Sequence, residues 1–112
     1  MHELSICRAI SDIAQRRATG RRVSRVYIDV GGLRQVVPGT LAYLWGIVVD
    51  GTPLEGSVLD ISEIPPAIDC AGCGHRTVLE QPVLRCADCA GSDVTIAAGN
   101  ELNITSLELQ EA

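Results

Sequence analysis

The chain has 112 residues, of which 46% are apolar and only 3% aromatic, and its formal net charge is −5. This length predicts one compact domain with room for a small inserted module, and no apolar run is long enough to cross a bilayer. Because no signal peptide is recognisable either, the expected location is the cytoplasm. All nine basic residues are arginine, and the acidic total argues against nucleic-acid binding, which favours a basic patch.

A helix is predicted over residues 3–18, because apolar residues recur there at helical spacing. The stripe consists of Leu4, Cys7, Ile10 and Ala14, widened by Ile6, Ala9 and Ile13. Gly20 is a suitable stop for this helix. Residues 23–30 alternate between apolar and polar side chains and predict a half-buried strand that ends at Gly31-Gly32.

A second helix is predicted over residues 39–50, with Pro38 at its start and Gly51 after its end. Its apolar stripe is Leu41, Leu44, Trp45 and Val48. Residues 57–64 read as a strand stopped by Pro65-Pro66. The last strand, ELNITSLELQ, changes its apolar parity between Ile104 and Leu107, which predicts a bulge or bend near Thr105-Ser106.

The composition changes at Pro65-Pro66 and again near Ala98-Gly99, and the stretch between them is rich in turn residues and cysteine. These changes predict an α/β domain over 1–66, completed by a C-terminal strand within 97–112, and an inserted lobe over 67–96. The expected fold class is α+β. It consists of a small mixed three-stranded sheet with two helices, plus a zinc-ribbon-like lobe of two cysteine knuckles.

Four of the five cysteines form two C-x2-C pairs, Cys70 with Cys73 and Cys86 with Cys89. Two such pairs can complete a closed tetrahedral S4 site, which predicts a structural zinc ion with no open position for catalysis. Iron in a rubredoxin-like site is an alternative, because S4 alone does not exclude it. Two disulfides would be the interpretation in an oxidising compartment.

The chain begins Met1-His2-Glu3. A free N-terminal amine, the deprotonated amide of residue 2 and the imidazole of His2 can chelate one ion through two fused rings. Such a donor set favours square-planar Ni(II) or Cu(II) and leaves one corner for Glu3, water or another ligand. A solvated histidine without a metal is the alternative.

Together, these features resemble the HypA/HybF family, which comprises nickel metallochaperones of NiFe-hydrogenase maturation. The resemblance spans nearly the whole chain, and its most specific parts are the start MHEL and the two cysteine pairs. It implies a non-enzymatic carrier that binds Ni(II) through Met1, His2 and Glu3 and zinc through the four cysteines. It also implies partners: a HypB-type nickel GTPase, the hydrogenase large subunit and, in some organisms, urease.

Two departures from the family pattern stand out. Many relatives carry several histidines in or beside the zinc lobe, whereas this chain has only His75, a possible accessory ligand. The second helix begins Pro38-Gly39-Thr40 where relatives usually have Pro-Glu, so its first turn lacks an acid. The oligomeric state expected is a monomer or a weak dimer.

A second hypothesis is a zinc-ribbon module that contacts protein or nucleic acid. Residues 67–96 contain two arginines, four acidic residues and no aromatic residue, whereas a nucleic-acid ribbon usually has a basic surface and exposed aromatics for stacking. A redox enzyme would need a low-pKa thiolate at a helix start, which paired knuckles do not provide. These observations favour the carrier.

Overall fold

Two helices and two three-stranded sheets make up the fold in a computed structural model, which describes residues 2–81 and 83–110. The helices, the first sheet and a lobe of four clustered cysteines confirm the expected α+β class. The chain divides into two compact units. The first consists of Met1–Asp29, Val36–Ser62 and Asn103–Ala112, and the second of Val30–Gln35 and Glu63–Leu102. The domain boundaries expected at 66/67 and 96/97 stay a prediction.

Helices α1 (Glu3–Ala18) and α2 (Pro38–Val48) belong to the first unit. Strands β1 (Val23–Gly31), β2 (Val58–Ile64) and β6 (Leu102–Leu109) form one sheet in the order β2-β1-β6. Every second residue of β1 from Val26 to Val30 is buried, so the alternation seen in the sequence supplies one apolar face for the core.

The two helices run in the same direction with matching register. The Val37 N–H donates to Glu3 Oε2 at 3.4 Å, and the Cys7 thiol donates to the Leu41 carbonyl at 3.4 Å. Both bonds join residues 34 positions apart, so a step of four residues along α1 matches a step of four along α2. The starts of the two helices therefore lie side by side.

The buried face of α1 is rotated from the predicted stripe. Leu4 and Ile13 remain 37% and 36% exposed, whereas Glu3 and Ser11 are buried with Cys7 and Ala14. The reason is that α2 packs along the side of α1 that carries Glu3 and Cys7. Three residues of the predicted apolar stripe are therefore exposed: Leu4, Ala9 and Ile13.

In α2, Leu41 and Trp45 are buried as expected, and the indole N–H of Trp45 donates to Ser57 Oγ at 2.9 Å. The helix ends at Val48 rather than residue 50. Its last turn tightens there, since the Asp50 N–H bonds to the carbonyl of Ile47, only three residues earlier.

Strand β6 shows the predicted change of parity. Two consecutive residues, Thr105 and Ser106, are exposed, and the partly buried residues on either side are out of phase: Leu102 and Ile104 before, Leu107 and Leu109 after. The bulge offered as the cause stays a prediction.

The second unit contains strands β3 (Ala67–Cys70), β4 (Arg76–Val78) and β5 (Val94–Ala98), paired antiparallel in the order β4-β3-β5. The sequence of this region is rich in turn residues and did not predict the three strands, because strands of three to five residues are too short to show periodicity. Strand β1 also runs one residue further than predicted. At Gly31 a side chain would overlap the backbone of Gly99, so glycine is required by close approach rather than as a strand end.

Candidate metal centres

Four cysteine sulfurs converge in the second unit. Those of Cys70, Cys73, Cys86 and Cys89 all lie within 4.8 Å of one another, and no disulfide joins them. Two of these approaches cross between the pairs, 3.7 Å for Cys70–Cys89 and 3.5 Å for Cys73–Cys86. A tetrahedral zinc site with Zn–S bonds of about 2.3 Å has sulfurs about 3.8 Å apart. The four sulfurs are therefore already spaced for one tetrahedral ion.

The two knuckles have the same backbone design. In the first, Gly74 N–H donates to the Cys70 carbonyl at 2.8 Å, and Cys70 N–H donates to His75 O at 3.0 Å. In the second, Ala90 N–H donates to the Cys86 carbonyl and Cys86 N–H to Gly91 O, both at 3.0 Å. Gly74 and Ala90 occupy equivalent positions with φ of +77° and +60°, so a left-handed residue closes each turn.

Backbone amides point at the sulfurs and stabilise thiolate. N–H groups of Cys89 and Asp88 lower the pKa of Cys86 to about 6, although burial opposes this. At Cys73 the N–H of His75 also lowers the pKa, but the hydrogen bond with Cys86 and desolvation outweigh it and raise the pKa to about 12. Thiols this close cannot all ionise together unaided, and a divalent cation is what would allow four thiolates.

The strands hold the knuckles in place. Cys70 is the last residue of β3, and a two-point ion pair between Arg76 and Asp69, at 2.7 and 3.0 Å, joins β4 to β3 just before it. The second knuckle is tied to β4 because Ala87 N–H donates to Thr77 Oγ1 at 3.1 Å. This arrangement could hold one metal ion, and four thiolate ligands would leave it no open corner for chemistry.

The N-terminal site predicted from the sequence lies at the start of α1, in the other unit. Met1 lies outside the described residues. His2 is exposed and is the N-cap of α1, and its carbonyl accepts the first helical bond, from Ile6 N–H at 3.0 Å. Because an N-cap amide has no partner within the helix, the His2 N–H does not take part in the helical ladder.

Glu3 is the candidate site residue whose setting the sequence did not reveal. The residue is only 5% exposed, which is unusual for glutamate. Its pKa is lowered to about 2, chiefly by a hydrogen bond from the N-terminal ammonium group and then by the backbone N–H groups of Glu3 and Val37. The contact with Val37 lies 34 residues away, and no local pattern could have shown it.

Two other candidates have simple settings. The His75 side chain is exposed, and its backbone rather than its imidazole makes the bonds that close the first knuckle. Cys7 is fully buried, as expected, and burial raises the pKa of its thiol to about 11. Cys7 is therefore a core residue, separate from the four clustered cysteines.

Fold and site thus define a small α+β metal-binding protein with a four-cysteine centre. A family model described as "Hydrogenase/urease nickel incorporation, metallochaperone, hypA" matches residues 1–109. Proteins named hydrogenase maturation factor HypA are similar over nearly their whole length. The one from Nostoc sp. is 36% identical over 111 residues (99% of this chain, 97% of the relative), and the one from Desulfosudis oleivorans is 37% identical over 115 residues (99% and 100%).

The chain belongs to the HypA family of hydrogenase-maturation metallochaperones. Among solved structures, the solution structure of the Ni metallochaperone HypA from Helicobacter pylori matches with a TM-score of 0.71. The match covers 97% of each chain at 21% identity, so this likeness concerns the fold. No helix within residues 2–81 and 83–110 is long and apolar enough to span a membrane.

Proposed function

We propose that this protein is a non-enzymatic nickel carrier that binds Ni(II) at its N-terminus and delivers it during NiFe-hydrogenase maturation. The observation that carries the proposal is the position of His2 as the exposed N-cap of α1 in a chain that matches the family from its first residue. The proposed donors are the Met1 amine and the amide and imidazole nitrogens of His2.

The helix start suits this chelate for two reasons. Removing the proton from the His2 amide breaks no helical hydrogen bond, because that N–H precedes the ladder. The partial positive charge at a helix N-terminus also stabilises the resulting amide anion. Ni(II) with one deprotonated amide and two neutral nitrogens has a net charge of +1. The fourth corner stays open for an exchangeable ligand, as transfer requires.

Zinc is the ion proposed for Cys70, Cys73, Cys86 and Cys89, in a structural role. Thiolate sulfur and a tetrahedral arrangement are the preferences of zinc, and nickel in a square plane would need a different geometry. Cysteines kept free for a metal require a reducing environment, which supports a cytoplasmic location.

Delivery requires partners. We infer a HypB-type nickel GTPase and the hydrogenase large subunit, with urease as a further recipient, from membership in a family described by nickel incorporation into hydrogenase and urease. Without a closed cage around the nickel, a partner can take the ion by supplying ligands to the open corner.

The test is a nickel titration of zinc-loaded protein made with a free Met1 amine. The parent is expected to bind one nickel with a square-planar absorption spectrum, and His2→Ala is expected to abolish this while zinc content and fold remain. If the His2→Ala protein binds nickel with unchanged stoichiometry and affinity, the proposed site is wrong.

His75→Ala is the matched control, because these are the only two histidines in the chain and both are exposed. We expect it to retain nickel binding at Met1 and His2. Weaker binding with a changed spectrum in this variant would identify His75 as the accessory ligand.

A further inference from the structure

The starts of α1 and α2 create an electrostatic problem. Parallel helices with matched register place two positive helix N-termini together. Neither N-cap residue, His2 or Val37, makes a side-chain capping bond, and the first turn of α2 contains no acidic residue. A negative group nearby would satisfy unpaired N–H groups and reduce the repulsion between the two ends.

The Glu3 carboxylate is that group. It lies within the first turn of α1, it is 5% exposed, and its Oε2 accepts the N–H of Val37, the N-cap of α2, at 3.4 Å. A buried carboxylate is costly unless hydrogen bonds and positive charge compensate for it. The two helix starts supply both the hydrogen-bond donors and the positive charge that stabilise the Glu3 carboxylate.

We propose that the Glu3 carboxylate is a cap and counter-charge shared by both helix starts, and that it positions the nickel-binding terminus without being a ligand of the metal. The inference rests on the proposed nickel site at Met1 and His2. It differs from the interpretation of Glu3 as the fourth nickel ligand, since one carboxylate oxygen already accepts the N–H of Val37 and the carboxylate acts through its charge.

The shared cap has a consequence for nickel. When the Met1 amine is already neutral, the chelate adds a charge of +1 beside two positive helix ends, so loss of the Glu3 charge then weakens nickel binding even when every ligand remains. When the amine is an ammonium group, the chelate replaces a group of equal charge and this effect is absent. The loss of one favourable helix-terminus charge corresponds to about a tenfold weaker affinity. A ligand lost from the metal would instead change the absorption spectrum.

The experiment separates charge, hydrogen bond and ligation with four variants. Glu3→Gln keeps an acceptor for Val37 but removes the charge, and Glu3→Ala removes both. Each of these two variants is also made together with Thr40→Glu, which places an acid at an exposed site in the first turn of α2. Glu63→Gln, which removes an exposed carboxylate on β2, controls for net charge.

Nickel affinity, the nickel absorption spectrum and the thermal unfolding midpoint of nickel-free protein are measured for each variant at about pH 9, where an α-amino group is mostly neutral. For Glu3→Gln we expect about tenfold weaker nickel binding with an unchanged spectrum, and a lower midpoint. Adding Thr40→Glu restores both the affinity and the midpoint. In the Glu3→Ala background the rescue is incomplete, because the acceptor for Val37 is still absent. Glu63→Gln leaves both quantities near those of the parent.

An altered spectrum in Glu3→Gln, or a midpoint that recovers with Thr40→Glu while nickel binding does not, would show that Glu3 is a ligand and overturn the proposal. Unchanged affinity and midpoint in Glu3→Gln would also overturn it. If the parent binds no nickel, or His2→Ala binds it equally well, the proposed nickel site fails. The unfolding comparison then still decides whether Glu3 caps both helices.

Discussion

The two cysteine knuckles differ at one equivalent position, and exchanging the residues there has opposite expected effects. Gly74 and Ala90 each follow the first cysteine of their pair by four residues and donate to its carbonyl. Both have left-handed backbone conformations, φ +77° and +60°. Glycine adopts this conformation readily, whereas alanine does not. Gly74→Ala should therefore weaken the first knuckle, and Ala90→Gly should strengthen the second.

The size of the effect follows from the backbone alone. A Cβ added at Gly74 would have no heavy atom within 4 Å, so the substitution introduces no clash. A non-glycine residue in the left-handed region costs about 1–2 kcal/mol, and the lower unfolded-state entropy of alanine returns about 0.4–1 kcal/mol. The net change is about 1 kcal/mol in each case, with opposite signs.

Because we expect zinc binding and folding of this lobe to be one event, the change should appear as zinc affinity. About 1 kcal/mol corresponds to roughly a fivefold change in the dissociation constant. Competition against a chromophoric chelator measures this directly, and the double variant Gly74→Ala/Ala90→Gly should return close to the parent. Weaker zinc binding by Ala90→Gly, or equal affinities for all four proteins, would refute the backbone argument.

Three further outcomes are expected. Cys73→Ser should release zinc and remove hydrogen-exchange protection from residues 67–96 while α1 and α2 stay protected; retained zinc and protection would contradict a four-thiolate site. One residue inserted between Met1 and His2 should create a four-nitrogen chelate that binds nickel at least as tightly yet fails to support hydrogenase activity in cells, so normal activity would contradict the need for an open corner. Cys7 should resist alkylation at pH 8 in folded protein, and rapid labelling would disprove its burial. Because the pKa of its thiol is raised from 9.0 to about 11, the free energy of unfolding should not change below pH 9 on account of Cys7 and should fall as the pH rises from 9 towards 11.

The bounds of α1 agree with the sequence prediction at both ends, because helical periodicity over sixteen residues is a strong local signal. The C-x2-C spacing likewise identified the four cysteines that the structure brings within 4.8 Å, since each pair shares one tight turn. In both cases the structure depends on residues that are close together in the chain, so it can be predicted from one sequence.

Tertiary packing decided the rest. The face of α1 that is buried depends on where α2 lies, and this left Leu4 exposed and buried Glu3 instead. The meeting of the two knuckles was also a matter of packing, because Cys70 lies 3.7 Å from Cys89 and Cys73 lies 3.5 Å from Cys86 across separate turns. Glu3 illustrates the physical reason. Its partner Val37 is 34 residues away, and only the parallel association of two helices brings the Glu3 carboxylate, beside the proposed nickel-binding terminus, to the start of a second helix.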